Sequence, residues 1–269
     1  MLGLVLLIAV PAQAQTAATL RAQSAQSALS RRWPLAANRR LSWVVLDLST
    51  GERIAQQGID PDHPIPVGSL TKPFLALAYS RTHVSYPHFD CRGTQDRCWL
   101  THGHGSLDLQ QALARSCNAY FLSLAEQIDP VALANTTQFL NLPSPPADAS
   151  PATLIGLNPG WQISPTILAL AYGRLLMQPG ASDILAGLRQ AASTGTASAL
   201  RDEDALAKTG TAPCHHHGCV ASADGLVVAL TPAASPRMIL FVRQQGSTGA
   251  ATAPIAAQML RLLEAPHEP

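Results

Sequence analysis

Lysine is rare in this chain, and where it occurs a serine or a threonine stands close by. The sequence carries 16 arginines but two lysines, Lys72 and Lys208. Arginine stays protonated under working conditions, whereas a buried lysine can lose its proton and serve as a base. Lys72 follows Ser69 by three positions, just ahead of the apolar run Phe74-Leu75-Ala76-Leu77-Ala78-Tyr79. If that run is helical, positions i and i+3 share one face. The Ser69 hydroxyl, a poor nucleophile by itself, could then pass its proton to a neutral Lys72 amine. A lone Ser-x-x-Lys arises by chance about once in a chain of this length, so the lysine bias gives the pair its weight. Lys208 opens Lys208-Thr209-Gly210-Thr211, and Ser116-Cys117-Asn118 stands at a junction between two helical stretches. Ser116 and Asn118 have a plainer alternative there, as helix caps.

Those residues need elements to hold them. Leu41 to Leu48 reads as a strand, Ser49-Thr50-Gly51-Glu52 as a turn and Arg53 to Gln57 as the returning strand. The Ser69 helix follows. Leu107–Ala114 and Ala119–Gln127 read as helices on either side of Ser116, and Pro143 to Pro151 as a proline-rich connection. Ser164-Pro165 opens a helix running to Leu176, with a cap and a proline at its first position. Leu185–Ala192 is a further short helix. Strands are expected at Ala205–Ala212, Gly225–Leu230 and Arg237–Arg243, and a closing amphipathic helix at Ala250–Glu264. This order predicts an α+β fold. One antiparallel sheet would join the N-terminal hairpin to the three C-terminal strands, flanked by helices, with an all-helical lobe inserted at about 80–190.

A length of 269 residues suits one sizeable domain or two small ones. The net charge of +1 and 13% charged residues give no basic block for nucleic acid, and 47% hydrophobic content is that of a globular protein. Leu2 to Val10 is apolar and precedes Pro11-Ala12-Gln13-Ala14, which predicts a secretory signal over 1–14, cut after Ala14. A lead-in over 15–40, helical near Ala18 to Ser30, and one domain over 41–269 would follow, in the periplasm or secreted. No stretch reaches the roughly 20 apolar residues that span a bilayer.

Export permits disulfides. Cys91 and Cys98 are close enough in sequence to bridge, as are Cys214 and Cys219, with Cys117 left over. Cys214, His215, His216, His217 and Cys219 also allow a metal. Adjacent histidines point in divergent directions, which favours the disulfide. Asp90, Cys91, Cys98, His102 and His104 include metal-ligand types without a fixed spacing. The expectation there is a disulfide-pinned surface loop. No metal and no cofactor is expected.

Taken together, Ser69-Leu70-Thr71-Lys72, Ser116-Cys117-Asn118 and Lys208-Thr209-Gly210 resemble the three motifs of the penicillin-binding protein and serine β-lactamase superfamily, in their order. The chain is most similar to the transpeptidase domain of class B penicillin-binding proteins. Pro66 to Phe74, His104 to Phe121, Ile163-Ser164-Pro165 and the Gly195-Thr196 loop all resemble that group, and the likeness runs over about residues 41–263. It implies Ser69 as nucleophile, Lys72 as its base and Ser116 as proton relay. Asn118 would bind Lys72 and the substrate amide, and Lys208 would keep the site positive. Thr209, Gly210 and Thr211 would bind the substrate carboxylate, with the backbone N–H groups of Ser69 and Thr211 as the oxyanion hole. The implied substrate is a peptidoglycan stem peptide ending in D-alanyl-D-alanine, with β-lactams as inhibitors and a membrane-anchored protein as a further partner. Two other readings remain: a non-catalytic module binding wall peptides or a protein, and an unusual β-lactamase. Ser150-Pro151-Ala152-Thr153 stands where a class A β-lactamase carries its deacylating glutamate.

Overall fold

The computed structural model describes residues 12–214, 219 and 222–265. The chain opens with helix α1 (Ala12–Arg32), then the hairpin β1 (Leu41–Asp47) and β2 (Arg53–Gln57). Short strand β3 (Ile65–Pro66) leads into a 3₁₀ turn over Gly68–Thr71, which runs directly into α2 (Lys72–Ser80). A small hairpin follows, β4 (Phe89–Cys91) with β5 (Gly105–Leu107), and then α3 (Leu109–Ala114), α4 (Asn118–Ala125), α5 (Pro130–Leu140) and α6 (Pro151–Leu154). Strand β6 (Gln162–Ile163) pairs with β3. Helices α7 (Pro165–Leu175) and α8 (Ser182–Ser193) lead to β7 (Leu206–Pro213), β8 (Ala223–Thr231), β9 (Met238–Gln245) and the closing helix α9 (Gly249–Glu264). Among the described residues no helix is long and apolar enough to cross a membrane.

The main sheet has the order β2-β1-β9-β8-β7, so the N-terminal hairpin does join the three C-terminal strands. Every adjacent pair in it is antiparallel. Apart from the exposed edge strand β2, its strands are buried on both faces, and their alternating side chains feed two cores. Val44, Leu46, Leu226, Val228, Leu230, Ile239 and Phe241 pack towards the helical lobe around α2. Trp43, Val45, Val227, Ala229, Leu240 and Val242 pack towards α1 and α9. Ala253, Ala256, Ala257 and Leu260 of α9 follow helical spacing and are buried, and alanines on that face let the helix lie close on the sheet. The outcome is three layers, with a sheet between terminal helices and a helical lobe.

Helix α2 is the axis of that lobe. Lys72 to Tyr79 are all buried, which explains why its sequence is apolar around its whole circumference. Pro73 sits in its first turn, where a missing N–H costs nothing. Helix α7 begins at Ser164, whose side chain accepts from the Ile167 N–H, as its Ser-Pro start predicts. Two departures from expectation shape the lobe, one in a helix start and one in an added helix. Gly105–Leu107 pairs with Phe89–Cys91, so the helix expected from Leu107 starts at Leu109, capped by Asp108 and Gln111. Helix α5, with its Asp129 cap and Pro130, adds an element to the lobe that the sequence reading did not assign.

Candidate active site

Three segments meet between the free edge of β7 and the helical lobe. The first is the 3₁₀ turn carrying Ser69. Gly68 enters it at φ +53°, and a Cβ there would lie 2.7 Å from the Thr211 carbonyl oxygen, so the turn can rest on β7 only with glycine. Thr71 Oγ1 donates to the Leu154 carbonyl at 2.7 Å, and the Tyr172 hydroxyl donates to the Leu70 carbonyl at 2.8 Å. These bonds clamp the turn from α6 and α7. Ser69 remains half-buried between buried neighbours.

The second segment is the α3–α4 junction. Ser116 adopts φ +52°, a left-handed conformation uncommon outside glycine and often found at functional sites. Helix α4 is capped by Cys117, whose sulfur accepts from the Tyr120 N–H, and Asn118 is its first helical residue. The capping alternative for Ser116 and Asn118 therefore falls away, leaving both polar side chains directed at Lys72. Lys72 Nζ donates to Asn118 Oδ1 at 2.7 Å and to the Ser116 carbonyl at 2.9 Å, and lies 3.4 Å from Ser116 Oγ. The Phe121 ring stands 5.5 Å from the same nitrogen.

The third segment is β7. Lys208 Nζ donates to Ser116 Oγ at 2.8 Å and to the Thr209 carbonyl at 3.0 Å. Thr209 Oγ1 lies 2.6 Å from Thr196 Oγ1, and Thr196 is tied to the helical lobe through its N–H bond to the Ala114 carbonyl. Thr211 is exposed at the rim, where its hydroxyl oxygen accepts from the Gly249 N–H at 3.1 Å. That bond leaves the Thr211 O–H proton available to a ligand. The N–H and C=O of one strand residue point the same way, so the Thr211 carbonyl facing Gly68 turns its N–H off the open edge too. Gly210 contacts the protein instead: a Cβ there would stand 3.0 Å from the Val67 carbonyl.

Ser69, Lys72, Ser116, Asn118, Lys208, Thr209, Gly210 and Thr211 thus come from three distant stretches into one cluster. Lys72 and Lys208 are both fully buried. Burial brings the Lys72 ammonium down to about 7, partly opposed by negative charge on the Cys117 and Cys98 sulfurs. Lys208 is lowered well below its usual value, first by burial and then by the charge of Lys72. Two amines bonded to one hydroxyl cannot both hold a charge cheaply, so they titrate as a pair. A neutral Lys72 spends its two N–H bonds on Ser116 and Asn118, which leaves its lone pair free to take a proton.

Trp99 is a member that the sequence reading missed. Its Nε1 donates to the Ser116 carbonyl at 3.2 Å, the oxygen that Lys72 also uses. The same indole, with Arg115, Thr196 and Arg201, lines an open cleft of about 720 Å³ beside the cluster.

The cysteine expectations divide. Cys214 and Cys219 are bridged, with Cα atoms 5.9 Å apart, while His215, His216 and His217 lie outside the described residues. Cys91 and Cys98 are not bridged: both are free and buried, as is Cys117. The β4–β5 pairing sets Cys91 opposite Gly105, and so directs its sulfur to His104.

Residues 41–180, just over half the chain, match the family model described as the penicillin-binding protein transpeptidase domain. No curated protein matches. Among solved structures, Pseudomonas aeruginosa PBP2 in complex with WCK 5153 is similar over 91% of this chain and 77% of that one, at TM-score 0.72 and 20% identity. Penicillin-binding protein A of M. tuberculosis, solved as a ceftriaxone acyl-enzyme complex, covers 91% and 78% at TM-score 0.70 and 15% identity. PBP2 of Helicobacter pylori, solved with MreC, covers 89% of this chain at TM-score 0.70 and 16% identity, and the chain spans 62% of its length.

Proposed function

We propose that this chain, which belongs to the transpeptidase-domain family of penicillin-binding proteins, is an exported serine enzyme acting on peptidoglycan stem peptides that end in D-alanyl-D-alanine. The observation that carries the reading is the buried relay Lys208–Ser116–Lys72 next to the Ser69 turn. Ser69 Oγ attacks the carbonyl carbon of the penultimate D-alanine and gives its proton to Lys72 Nζ. The N–H groups of Ser69 and Thr211 hold the oxyanion, a donor of this kind being worth roughly 3 kcal/mol. Collapse breaks the C–N bond, and Ser116 Oγ hands the proton from Lys72 to the leaving amine. The acyl group on Ser69 then passes to an acceptor amine. Lys208, buried behind the strand edge, supports Ser116, the Thr211 hydroxyl meets the terminal carboxylate, and Arg115 and Arg201 on the cleft wall suit an anionic peptide.

Burying two lysine amines, with the cost of holding charge there, is expensive, and a module that only binds has no need of it, which favours an enzyme. The segment from Ser150 to Leu154 lies against the Ser69 turn and carries no carboxylate. It therefore offers no glutamate of the class A kind to activate a deacylating water, which disfavours the β-lactamase reading. A protein partner that brings the domain to its substrate fits the family, since a solved PBP2 carries MreC.

A pentapeptide substrate incubated with a D-amino-acid acceptor tests the reaction. Release of D-alanine together with an acceptor-linked tetrapeptide supports transpeptidation. Release with only free tetrapeptide would make the enzyme a carboxypeptidase, and no release from folded protein would sink the proposal.

A further inference from the structure

The three free cysteines do not stand apart. Cys91, Cys98, His104 and Cys117 each offer one ligand atom, and all four atoms lie within 4.8 Å of one another. His104 Nδ1 is 3.5 Å from Cys98 Sγ and 3.6 Å from Cys91 Sγ, and Cys98 Sγ is 3.8 Å from Cys117 Sγ. A tetrahedral zinc with Zn–S of about 2.3 Å and Zn–N of about 2.0–2.1 Å holds sulfurs about 3.8 Å apart and a sulfur and nitrogen about 3.5–3.6 Å apart. These three spacings are those of ligands around one ion, and the remaining pairs, within 4.8 Å, need only a small inward shift to close on it. A single imidazole nitrogen also faces two sulfurs at nearly equal range, which one thiol hydrogen bond would not require.

The loop is built to bring them together. Cys91 ends β4, His104 precedes β5, and Cys98 follows the 3₁₀ turn Gly93–Asp96 between them. Gly103, at φ +79°, lets the loop close on itself: a Cβ there would lie 2.6 Å from the Gly93 nitrogen. Cys117 arrives from the cap of α4. The three cysteines are 5% exposed or less, so the sulfurs are shielded from solvent as in structural zinc sites, while His104 is half-buried and reaches the cleft wall beside Trp99. Three thiolates and an imidazole select a soft or borderline ion over magnesium or calcium.

We propose that Cys91, Cys98, His104 and Cys117 form a tetrahedral zinc site whose bond to Cys117 anchors the Ser116–Asn118 turn. Cys117 lies between the two residues that bind Lys72, and Trp99, next to Cys98, holds the Ser116 carbonyl. The ion would thereby fix the left-handed Ser116 conformation from behind. Metal binding stands on the ligand geometry alone, whereas the positioning role rests on the serine-enzyme reading.

The test uses the full chain, purified without added metal. Elemental analysis is expected to find about one zinc per molecule, and cobalt substitution to give the intense visible bands of a tetrahedral thiolate site. Cys91→Ser and His104→Ala should each cut zinc content to below about a tenth of an ion, whereas replacing His215, His216 and His217 by alanine should leave it unchanged. If those variants fail to fold, chelator-stripped wild-type protein titrated with zinc supplies the same answer. A disulfide among Cys91, Cys98 and Cys117, or zinc content indifferent to the cysteine variants, would overturn the site. For the positioning role, stripping should slow acylation by a fluorescent penicillin at least about tenfold, and added zinc should restore it in wild type but not in Cys91→Ser. Zinc bound in full with an acylation rate indifferent to its removal would refute that role and leave the metal site standing.

Discussion

Replacing Asn118 by alanine probes the relay at its shortest bond. Asn118 Oδ1 accepts from Lys72 Nζ at 2.7 Å, in a site where Lys72 has no exposed surface. A hydrogen bond to a charged or partly charged group is worth about 1.5–3 kcal/mol. If it acts fully in the transition state, where Lys72 has gained the serine proton, its loss slows acylation by about 10- to 150-fold at 1.36 kcal/mol per decade. The direction of the pH dependence is a second readout. An acceptor favours the ammonium form, so its removal lowers the Lys72 pKa further below its value of about 7. Neutral Lys72 is then present at more acid pH. The acid limb of acylation should move to lower pH even as the plateau rate falls. Stopped-flow measurement with a chromogenic or fluorescent β-lactam from pH 5 to 9 follows both. A limb that moves to higher pH, or a plateau unchanged within twofold, would refute the assignment of Lys72 as the base held by Asn118.

Trp99→Phe removes one of two donors to the Ser116 carbonyl and should slow acylation by about 2- to 10-fold, from a neutral hydrogen bond worth about 0.5–1.5 kcal/mol. Stopped-flow acylation checks it. Gly68→Ala places a Cβ against the Thr211 carbonyl in a left-handed position, and should cost about 1–3 kcal/mol by denaturant unfolding with a loss of acylation. Arg243→Ala leaves Asp224 buried without its guanidinium partner, each side chain of the pair being 5% exposed. It should destabilise by about 3–5 kcal/mol in urea unfolding.

Much of this was legible because chemistry and periodicity agreed. The five strands of the sheet and the helices from Ser164 and after Thr248 follow from apolar runs bounded by caps and turns. The Ser69–Lys72 pair, the Ser116–Asn118 pair and Lys208 could be found because lysine is scarce where arginine is plentiful. Trp99 was not legible: nothing local distinguishes an exposed tryptophan from one whose indole N–H reaches a carbonyl 17 residues later. Nor was the convergence of Cys117 with Cys91, Cys98 and His104. The spacing along the chain suggested a local disulfide, and only the β4–β5 pairing and the α4 cap bring a fourth ligand to the same point. Helix α5 escaped because its Asn-Thr-Thr stretch is poor in helix formers, and packing against α2 overrides that preference.

Acylation of Ser69 is the step on which the whole mechanism turns, and intact mass spectrometry of the protein with a penicillin reads it out. One adduct of the drug's full mass is expected, stable over hours, located on the peptide containing Ser69 and lost in Ser69→Ala. An adduct that persists in the folded Ser69→Ala protein, or none in the folded wild type, would contradict it.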